Sequence, residues 1–343
     1  MRVASSIALC LLLGLVLVSC GDSDPVAAFP EKDTLTIMTY NVEDFDTGGK
    51  DESMAPYEGI AQLLKDEGVD VVCMQETQPG SATDQKYLDG SKGSWGDVTF
   101  FNQSLKKVNY IMPYYGFNTA GSVRLDFVSY WSRYPVDSVS SVKPSDGAID
   151  PSTGIRYNSS RPILRYRVKY KGHDIWFYGA HLKSNAGGVM EQNAGQRRSQ
   201  AFHLARYIIR NQNPEKDLIV ILGDMNTMPF DFDNSGNSTI DYLCLKFDNP
   251  YNTANDFVAV NLKEIGGVTN YVGDVYGGQV GSTHPGDPSG YPDATFDHII
   301  ISPTLYNRFY IKGSVQIVQK ADGINGGFAD HMPVKLTLQF TNN

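Results

Sequence analysis

The segment Leu218–Asn226, with the sequence LIVILGDMN, constrains the fold more than any other part of the chain. Five consecutive apolar residues, Leu218–Leu222, predict a β-strand buried on both faces, because a half-buried strand alternates apolar and polar residues. Gly223 ends this run, and Asp224 and Asn226 follow two residues apart, a spacing that points both side chains the same way in extended backbone. A rigid strand ending in a carboxylate and a carboxamide is typical of catalytic sites. A strand followed by an Asx turn is the alternative interpretation.

Other predicted strands carry polar residues at the same kind of border. Strands are predicted over Thr34–Val42, Val69–Met74, Asp174–His181, Thr295–Ile301 and Val334–Phe340. The polar residues at the strand borders are Asn41, Glu76, His181, Asp224, Asn226, Asp297, Asp330 and His331. Carboxylates with Asn and His suit a hard divalent cation such as Mg²⁺ or Mn²⁺, bound through oxygen. Such a cation polarises a phosphoryl oxygen and positions a water molecule, and the histidines then manage protons or growing charge.

The apolar spacing also predicts helices and loops. Apolar residues from Tyr57 to Leu64 fall on one face of a helix, and a long helix is expected after Gly188. We predict loops over Ser81–Lys107 and Ser138–Ser160, and functional loops over residues 230–294 with a short helix near Ile240–Phe247. The histidines without a motif partner are interpreted as surface or core residues: His173, His203, His284 and His298.

The N-terminal segment Met1–Cys20 has the organisation of a secretory signal. Arg2 supplies a positive start, and the apolar stretch that follows is too short for an ordinary membrane-spanning helix. The ending Leu17-Val18-Ser19-Cys20 resembles a bacterial lipoprotein signal, so Cys20 is expected to carry a lipid. An ordinary cleaved signal and an uncleaved anchor remain as alternatives.

This interpretation predicts the domain organisation and the location of the protein. Residues 21–33 are polar and contain proline, as expected of a tether, and residues 34–343 are expected to form one domain. The protein is then expected in the cell envelope, anchored through its lipid to a bacterial membrane outside the cytoplasm, as a monomer. Only Cys73 and Cys244 lie in this domain, so it has neither a disulfide framework nor zinc-ligand spacing.

The net charge of the chain is −9, and removal of the signal with Arg2 makes it one unit more negative. Proteins that bind duplex nucleic acid through electrostatics alone usually have a basic surface. The charge therefore argues against that class of protein, but it does not exclude an enzyme that meets phosphates through a metal.

Three motifs together resemble the endonuclease/exonuclease/phosphatase superfamily of metal-dependent phosphoesterases. They are Thr39-Tyr40-Asn41-Val42, Gly223-Asp224-Met225-Asn226 and Asp330-His331-Met332-Pro333-Val334, which occur in the right order and spacing. The resemblance covers nearly the whole chain after the signal, and it is closest to the secreted deoxyribonucleases. It implies a four-layer α/β/β/α sandwich of two mainly antiparallel sheets flanked by helices, whereas the strand pattern alone favours a parallel α/β sheet.

The resemblance also implies which residues hold the cation. Glu76 is expected to be the principal ligand of Mg²⁺ or Mn²⁺, assisted by Asn41. Asp330 is expected at a second metal position or in support of the first. Glu43 stands where the abasic-site branch of the superfamily has a metal-binding Asp, and its longer side chain leaves ligation open.

The catalytic roles follow from the same resemblance. Asp224 is expected to orient or deprotonate the attacking water, and Asn226 to hydrogen-bond that water or the phosphate. His331, oriented by Asp297, is expected to contact the phosphate. His181 is expected to stabilise the transition state from the other side or to assist the leaving oxygen.

Some further residues are weaker candidates for the site. Asp126 matches an acidic residue that pairs with the equivalent of His181 in the secreted deoxyribonucleases, and a salt-bridging strand residue is the alternative. Lys183 and Arg161 are expected to bind the phosphate of the substrate. Arg197 and Arg198 are expected to add local positive charge on a negative protein.

These observations predict hydrolysis of phosphodiester bonds, with nucleic acid as the expected substrate of an extracytoplasmic nuclease. A phospholipid or inositol-phosphate phosphoesterase, similar to a sphingomyelinase, uses the same chemistry and is the alternative. A surface lipoprotein that binds without catalysis is the alternative from another class, and the intact set of motif residues argues against it.

Overall fold

The computed structural model describes residues 32–43, 55–77, 97–118, 127–143, 148–157, 161–185, 189–227, 231–247, 254–266, 282–285, 293–318 and 329–341. All of them belong to one compact unit, Glu31–Asn343. The predicted signal, Cys20, most of the tether and Asp126 lie outside the described residues. Within the described part of the chain, no helix is both long and apolar enough to cross a membrane.

The described secondary structure comprises strands and helices in alternating groups. The strands are β1 Thr34–Asn41, β2 Val71–Thr77, β3 Tyr114–Phe117, β4 Phe127–Ser132, β5 Val136–Val142, β6 Ala148–Ile149, β7 Arg156–Tyr157, β8 Ile163–Tyr170, β9 His173–His181, β10 Leu218–Asp224, β11 Val258–Ala259, β12 His284–Pro285, β13 Asp293–Ala294, β14 Asp297–Ile301, β15 Gln316–Ile317 and β16 Val334–Gln339. The helices are α1 Ala55–Asp66, α2 Asp97–Lys107, α3 Met190–Asn211, α4 Thr239–Leu243, α5 Val260–Glu264 and α6 Pro303–Arg308.

Most of the strands form two six-stranded sheets. The first sheet has the order β15-β16-β1-β2-β4-β3, and the second has the order β11-β14-β10-β9-β8-β5. Each sheet contains one parallel pair, β1–β2 in the first and β9–β10 in the second, and every other pairing in the two sheets is antiparallel. The mainly antiparallel prediction is therefore confirmed, and the parallel α/β sheet favoured by the strand pattern alone is wrong.

Strand β10 shows why the apolar run at Leu218–Leu222 is so continuous. All seven of its residues are buried. Val220 packs in the core between the two sheets, whereas Ile221 packs in the cluster that contains the apolar face of α3. A strand covered on both faces needs an apolar residue at every position, which is the pattern that the sequence shows.

Helices cover the outer faces of both sheets. Helices α1 and α2 pack on the first sheet through residues such as Ile60 and Phe101, and α3 and α4 pack on the second through residues such as Leu204 and Leu243. The result is the four-layer sandwich of the prediction. Each layer buries the apolar face of its neighbour, and this burial stabilises the layered arrangement.

The predicted loops contain regular structure. Residues 230–294 contain the expected short helix, α4, and also β11, α5, β12 and β13. Helix α2 lies in the segment Ser81–Lys107, which was predicted as a loop. The buried stripe of this helix, with Phe101 and Leu105, is short, and polar neighbours hide its period in the sequence. The segment Ser138–Ser160 contains most of β5 as well as β6 and β7. These strands are short and largely polar, so the strand period is weak in them.

Gly223 fixes how closely β9 and β10 approach. Its φ is +143°, and a Cβ at this position would lie 1.9 Å from the carbonyl oxygen of Ala180. Only glycine avoids that collision. The parallel pair therefore stays in register up to its last residues, where His181 lies beside Asp224.

Candidate active site

The candidate site lies where the ends of six strands meet at one edge of the sandwich. The parallel pairs β1–β2 and β9–β10 bring the carboxyl ends of their strands together, which places Asn41 near Glu76 and His181 beside Asp224. Strand β14 is antiparallel to β10, so its first residue, Asp297, pairs with Asp224. His331 comes just before β16, the antiparallel neighbour of β1.

Asn41 connects the two sheets at this edge. Its Nδ2 donates to Oε1 of Glu76 at 3.0 Å and to Oδ2 of Asp224 at 3.1 Å. Its Oδ1 accepts a hydrogen bond from the backbone N–H of Glu43. The carboxamide therefore acts here as a hydrogen-bond donor to two carboxylates, and it must turn over to offer oxygen to a cation.

Glu76 occupies an irregular position near the end of β2. The register with β4 shifts between Met74 and Thr77, and Glu76 has a φ of +56°. A bulge of this kind changes the direction of a side chain, and left-handed backbone at a residue other than glycine costs about 1 kcal/mol or more. The Glu76 side chain is 28% exposed, so its carboxylate is open to solvent at the site edge.

Asp224 is almost completely buried. Its Oδ1 accepts a hydrogen bond of 2.8 Å from the backbone N–H of Asn226. Burial raises the pKa of Asp224 to about 6, and the nearby charge of His331 opposes this shift. A carboxylate whose pKa lies close to neutrality is suited to accept a proton from water.

Asn226 does not continue the extended backbone that its spacing from Asp224 predicted. Its φ is +50°, and the hydrogen bond from its N–H to the Asp224 side chain closes an Asx turn. The Nδ2 of Asn226 donates to the carbonyl oxygen of Leu182 at 3.3 Å. The Asx-turn interpretation and the catalytic-site interpretation of this segment are therefore compatible, because the turn holds Asp224 in place.

His331 and Asp297 form a close buried pair. Nδ1 of His331 lies 2.7 Å from Oδ2 of Asp297, while Nε2 faces Oδ2 of Asp224 at 3.9 Å and Oδ1 of Asp330 at 3.7 Å. Burial alone would lower the pKa of His331, but the three surrounding carboxylates raise it well above its usual value. The imidazole is thus held protonated, with Asp297 fixing its orientation.

His181 has the opposite electrostatic environment. Its Nε2 lies 3.4 Å from Oδ2 of Asp224 and 3.6 Å from Oε1 of Glu76. Burial, and secondly the positive charge of Arg161, hold the pKa of His181 well below its usual value. Its Nδ1 has no hydrogen-bond partner among the described residues. Pairing of Asp126 with this histidine stays a prediction, because Asp126 lies outside them.

His284 is a site residue that the sequence interpretation missed. It is 2% exposed, its Nε2 lies 3.5 Å from Oδ2 of Asp330, and its ring centroid lies 5.1 Å from that of His331. Burial alone would raise the pKa of Asp330. The hydrogen bond from His284 and the charge of His331 outweigh burial, so the pKa of Asp330 lies below its usual value. The neighbouring Thr283 accepts hydrogen bonds from the backbone N–H groups of Phe296 and Asp297, which fixes this segment against the start of β14.

Glu43 and the predicted phosphate-binding residues lie around this centre. Oε2 of Glu43 accepts a hydrogen bond from the backbone N–H of Asp330. Arg161 donates to the carbonyl oxygen of Leu182, directly after His181. Nζ of Lys183 donates to the carbonyl oxygen of Ser184.

The twin arginines of α3 do not add positive charge at the surface. Arg197 is fully buried and its guanidinium donates to both carboxylate oxygens of Asp231, at 2.8 and 2.7 Å. Arg198 is 4% exposed and donates to Asp150 at 3.0 Å. The expectation that they add local positive charge is therefore wrong, because each arginine is neutralised by a buried carboxylate from another segment.

A family comparison matches residues 38–317 to the Endonuclease/Exonuclease/phosphatase family. The chain belongs to this family. The matched segment contains every candidate site residue from Asn41 to Asp297, while Asp330 and His331 lie beyond it. A comparison with curated proteins finds no match.

Solved structures share the fold of this family member at low sequence identity. An endonuclease/exonuclease/phosphatase family protein from Leptotrichia buccalis is 16% identical, with a TM-score of 0.51 over 89% of this chain and 100% of that one. An AP endonuclease from Archaeoglobus fulgidus is 17% identical, with a TM-score of 0.53 over 90% and 100%. D. rerio TDP2 in complex with a single-strand DNA product is 16% identical, with a TM-score of 0.52 over 90% and 100%. These similarities establish the fold.

The donor atoms of this family member suit a divalent cation. Two groups, Glu76–His181–Asp224 and His284–Asp330–His331, each offer three potential ligand atoms within 4.8 Å of one another. The first group and the carboxamide of Asn41 beside it offer mainly oxygen atoms, which Mg²⁺ and Mn²⁺ prefer, whereas the second group offers one carboxylate and two imidazoles. Members of the family typically use divalent metals, and the residues of this edge fit such an ion.

Proposed function

We propose that this chain is an extracytoplasmic nuclease that hydrolyses phosphodiester bonds with the help of Mg²⁺ or Mn²⁺. The observation that carries the proposal is the placement of the buried Asp224, whose Oδ2 lies 3.4 Å from Nε2 of His181 and 3.9 Å from Nε2 of His331. Burial raises the pKa of Asp224, and the surrounding carboxylates raise the pKa of His331. One group is poised to accept a proton and the other to stabilise negative charge, which is what attack of water on a phosphodiester requires. Two similar structures, an AP endonuclease from Archaeoglobus fulgidus and D. rerio TDP2 in complex with a single-strand DNA product, support nucleic acid as the substrate.

Glu76 and Asn41 are the residues that would hold the cation, with Asp330 at a second metal position or in support of the first. A bound divalent cation polarises a phosphoryl oxygen and neutralises charge as it develops there. Glu76 is the natural principal ligand, because its carboxylate is the more exposed of the two that Asn41 contacts. Glu43, bonded to the backbone of Asp330, supports the loop that carries that residue.

The remaining polar residues act on the water, the phosphate and the leaving group. Asp224 removes a proton from the attacking water, and Asn226 keeps Asp224 in position through its backbone N–H. His331, oriented by Asp297, donates to the phosphate oxygen that gains charge. The neutral His181 acts on the leaving-group side, where Arg161 and Lys183 add positive charge for the phosphate.

A substrate panel, run with Mg²⁺ and with chelator, tests this function. It contains single-stranded DNA, plasmid DNA, RNA, sphingomyelin, inositol phosphates and a generic bis-aryl phosphodiester. We expect cation-dependent cleavage of nucleic acid and of the aryl diester. Cleavage of sphingomyelin or inositol phosphates in place of nucleic acid would instead establish the phospholipid or inositol-phosphate alternative. Binding without any cleavage would establish the non-catalytic one.

The location outside the cytoplasm rests on the lipoprotein-like ending at Cys20. Lipid attached to that sulfur would hold the protein at a membrane. An anchor with two acyl chains binds a bilayer far more stably than an anchor with one. Substituting Cys20→Ser is expected to release the mature protein from the membrane fraction. A variant that still fractionates with membranes would show that something other than this lipid anchors the chain.

A further inference from the structure

A cavity of about 300 Å³ opens beside the first turns of α3, away from the proposed catalytic residues. It is lined by side chains from three segments, among them Ser152, Thr153, Met190, Glu191, Phe232 and Asn234. Its volume is at the small end of the range for ligand sites, so it suits a group the size of a nucleobase rather than a larger molecule.

Two buried ion pairs set the width of this cavity. Arg197 ties α3 to Asp231 on one side, and Arg198 ties it to Asp150 on the other. Burying charged pairs costs desolvation energy and contributes little to net stability, so their effect is to fix where the flanking segments lie. At Gly195 a Cβ would lie 2.5 Å from the hydroxyl oxygen of Tyr157, so this helix position admits close packing of the β6–β7 hairpin.

The same framework connects the cavity to the proposed catalytic residues. Nη1 of Arg197 donates to the carbonyl oxygen of Lys183 at 3.0 Å and to Oδ1 of Asn185 at 2.7 Å, on the segment that follows His181. Asp231 comes five residues after Asn226, a length of chain that spans at most about 17 Å. A substrate strand held at the catalytic edge therefore reaches the cavity within a few nucleotides.

The lining favours an uncharged base over a phosphate. Phe232 and Met190 are each 57% exposed at the cavity and offer an aromatic face and a polarisable thioether. Asp231 and Arg198 also line the cavity, but each is neutralised in a buried ion pair. The carboxylates of Glu191 and Asp233 repel phosphate, while the hydroxyl and carboxamide groups suit the polar edge of a base. With a net charge of −9 and its α3 arginines buried, the protein gains little from general attraction to a polyanion.

We propose that this cavity binds an unpaired nucleobase of the substrate strand, stacked on Phe232. The inference rests on the proposed nuclease function and specifies its substrate as single-stranded or locally unpaired nucleic acid. A duplex keeps its bases stacked inside the helix, so it cannot present a base to Phe232 without unpairing. A lipid surface fits less well, because the exposed apolar residues surround a polar, acidic cavity.

The experiment measures binding and catalysis separately. Binding of a fluorescent single-stranded oligonucleotide is followed by anisotropy in chelator, where no hydrolysis occurs, for the full chain and for Phe232→Ala. We expect the dissociation constant to rise about 5- to 100-fold, the range given by loss of one base stack, and Phe232→Trp to retain binding. Ile209→Ala is the matched control, because Ile209 is an exposed apolar residue of α3 that lies outside the cavity lining.

Kinetics then locate the effect. With Mg²⁺, Phe232→Ala is expected to raise KM for the oligonucleotide, to leave kcat nearly unchanged, and to leave cleavage of the bis-aryl phosphodiester unaffected. Oligonucleotide affinity that does not depend on Phe232, or equal losses on every substrate, would overturn the proposal. So would a Phe232-dependent loss of binding to anionic lipid vesicles in place of oligonucleotide. Failure of the proposed function is distinguishable, since it appears as absence of nucleic-acid cleavage by the unsubstituted protein.

Discussion

The two sheets are built alike but contribute different chemistry to the candidate site. Each has a central parallel pair, and the carboxyl ends of both pairs meet at the same edge. The first sheet supplies Glu76, whose side chain is 28% exposed, whereas the second supplies His181 and Asp224, with side chains 1% and 2% exposed. Solvent access suits a ligand that receives a hydrated cation, and burial shifts the pKa of groups that handle protons. Under the proposed function, the same strand geometry would serve cation binding on one side and proton transfer on the other.

The largest effect is expected from Asp224→Asn, on the buried side of this comparison. Removing the group that accepts a proton from water typically lowers the rate about 10²- to 10⁴-fold. Because Asp224 acts mainly in the transition state, kcat should fall far more than substrate affinity. Single-turnover kinetics on the substrate that the panel identifies measure both quantities. Near-normal turnover in this variant would show that Asp224 does not accept the proton of the attacking water.

A loss of about 10²-fold or more is expected from His331→Ala, because one donor to the developing charge disappears. Asp297→Asn should cost less, since it disturbs the orientation of the imidazole and its charge without deleting the ring. The double variant should be no slower than His331→Ala alone, because the two residues act as one unit. Rate losses that multiply would show that Asp297 and His331 act independently, contrary to their 2.7 Å contact.

Glu76→Gln tests the exposed side of the comparison. Even residues that only support metal ligands change affinity about 10- to 100-fold, so loss of a principal ligand is expected to weaken Mg²⁺ binding by about tenfold or more. Activity should recover in part at high Mg²⁺ concentration. Calorimetric titration measures the affinity, and Glu58→Gln, an exposed carboxylate of α1, is the control. Unchanged affinity in Glu76→Gln would place the cation elsewhere.

The smallest effect concerns the stability of the protein in chelator. Burial raises the pKa of Asp224 from 3.8 to about 6, so the folded chain holds this proton more tightly than the unfolded chain. The stability that this proton contributes is present below about pH 4 and is lost as pH rises through 6. Asp224→Asn should therefore raise the melting temperature at pH 8, by a gain of about 3 kcal/mol or less, but not at pH 4. Equal melting curves at pH 8 would show that ionised Asp224 is not destabilising.

Much of the fold and of the site edge is predictable from local sequence. The apolar run at Leu218–Leu222 predicts β10 because burial on both faces leaves a local pattern, and polar residues at strand ends mark the edge. The parallel pairing of β1 with β2 and of β9 with β10 leaves no such pattern, because it joins segments separated along the chain. The family resemblance supplied the antiparallel sandwich that periodicity alone did not favour.

Partners across the tertiary structure are the part that local sequence does not predict. His284 lies in a stretch rich in glycine and proline, and its contact with Asp330 forms only when β12 and the segment before β16 are both in place. The charges of Arg197 and Arg198 are visible in the sequence, but their burial against Asp231 and Asp150 is not. The pKa of Asp224 likewise depends on burial by residues from both sheets.

The pairing of β1 with β16 affects when this protein acquires its activity. These are the first and last described strands, joined from Thr34 with Gln339 to Thr39 with Val334. Synthesis delivers a chain from its N-terminus, so β1 exists long before the strand that completes its sheet. Asp330 and His331 arrive with that last strand, and a partly made chain lacks both. A nascent polypeptide therefore lacks two residues of the candidate site, and under the proposed function the order of its sequence would separate the moment of synthesis from the onset of phosphodiester cleavage.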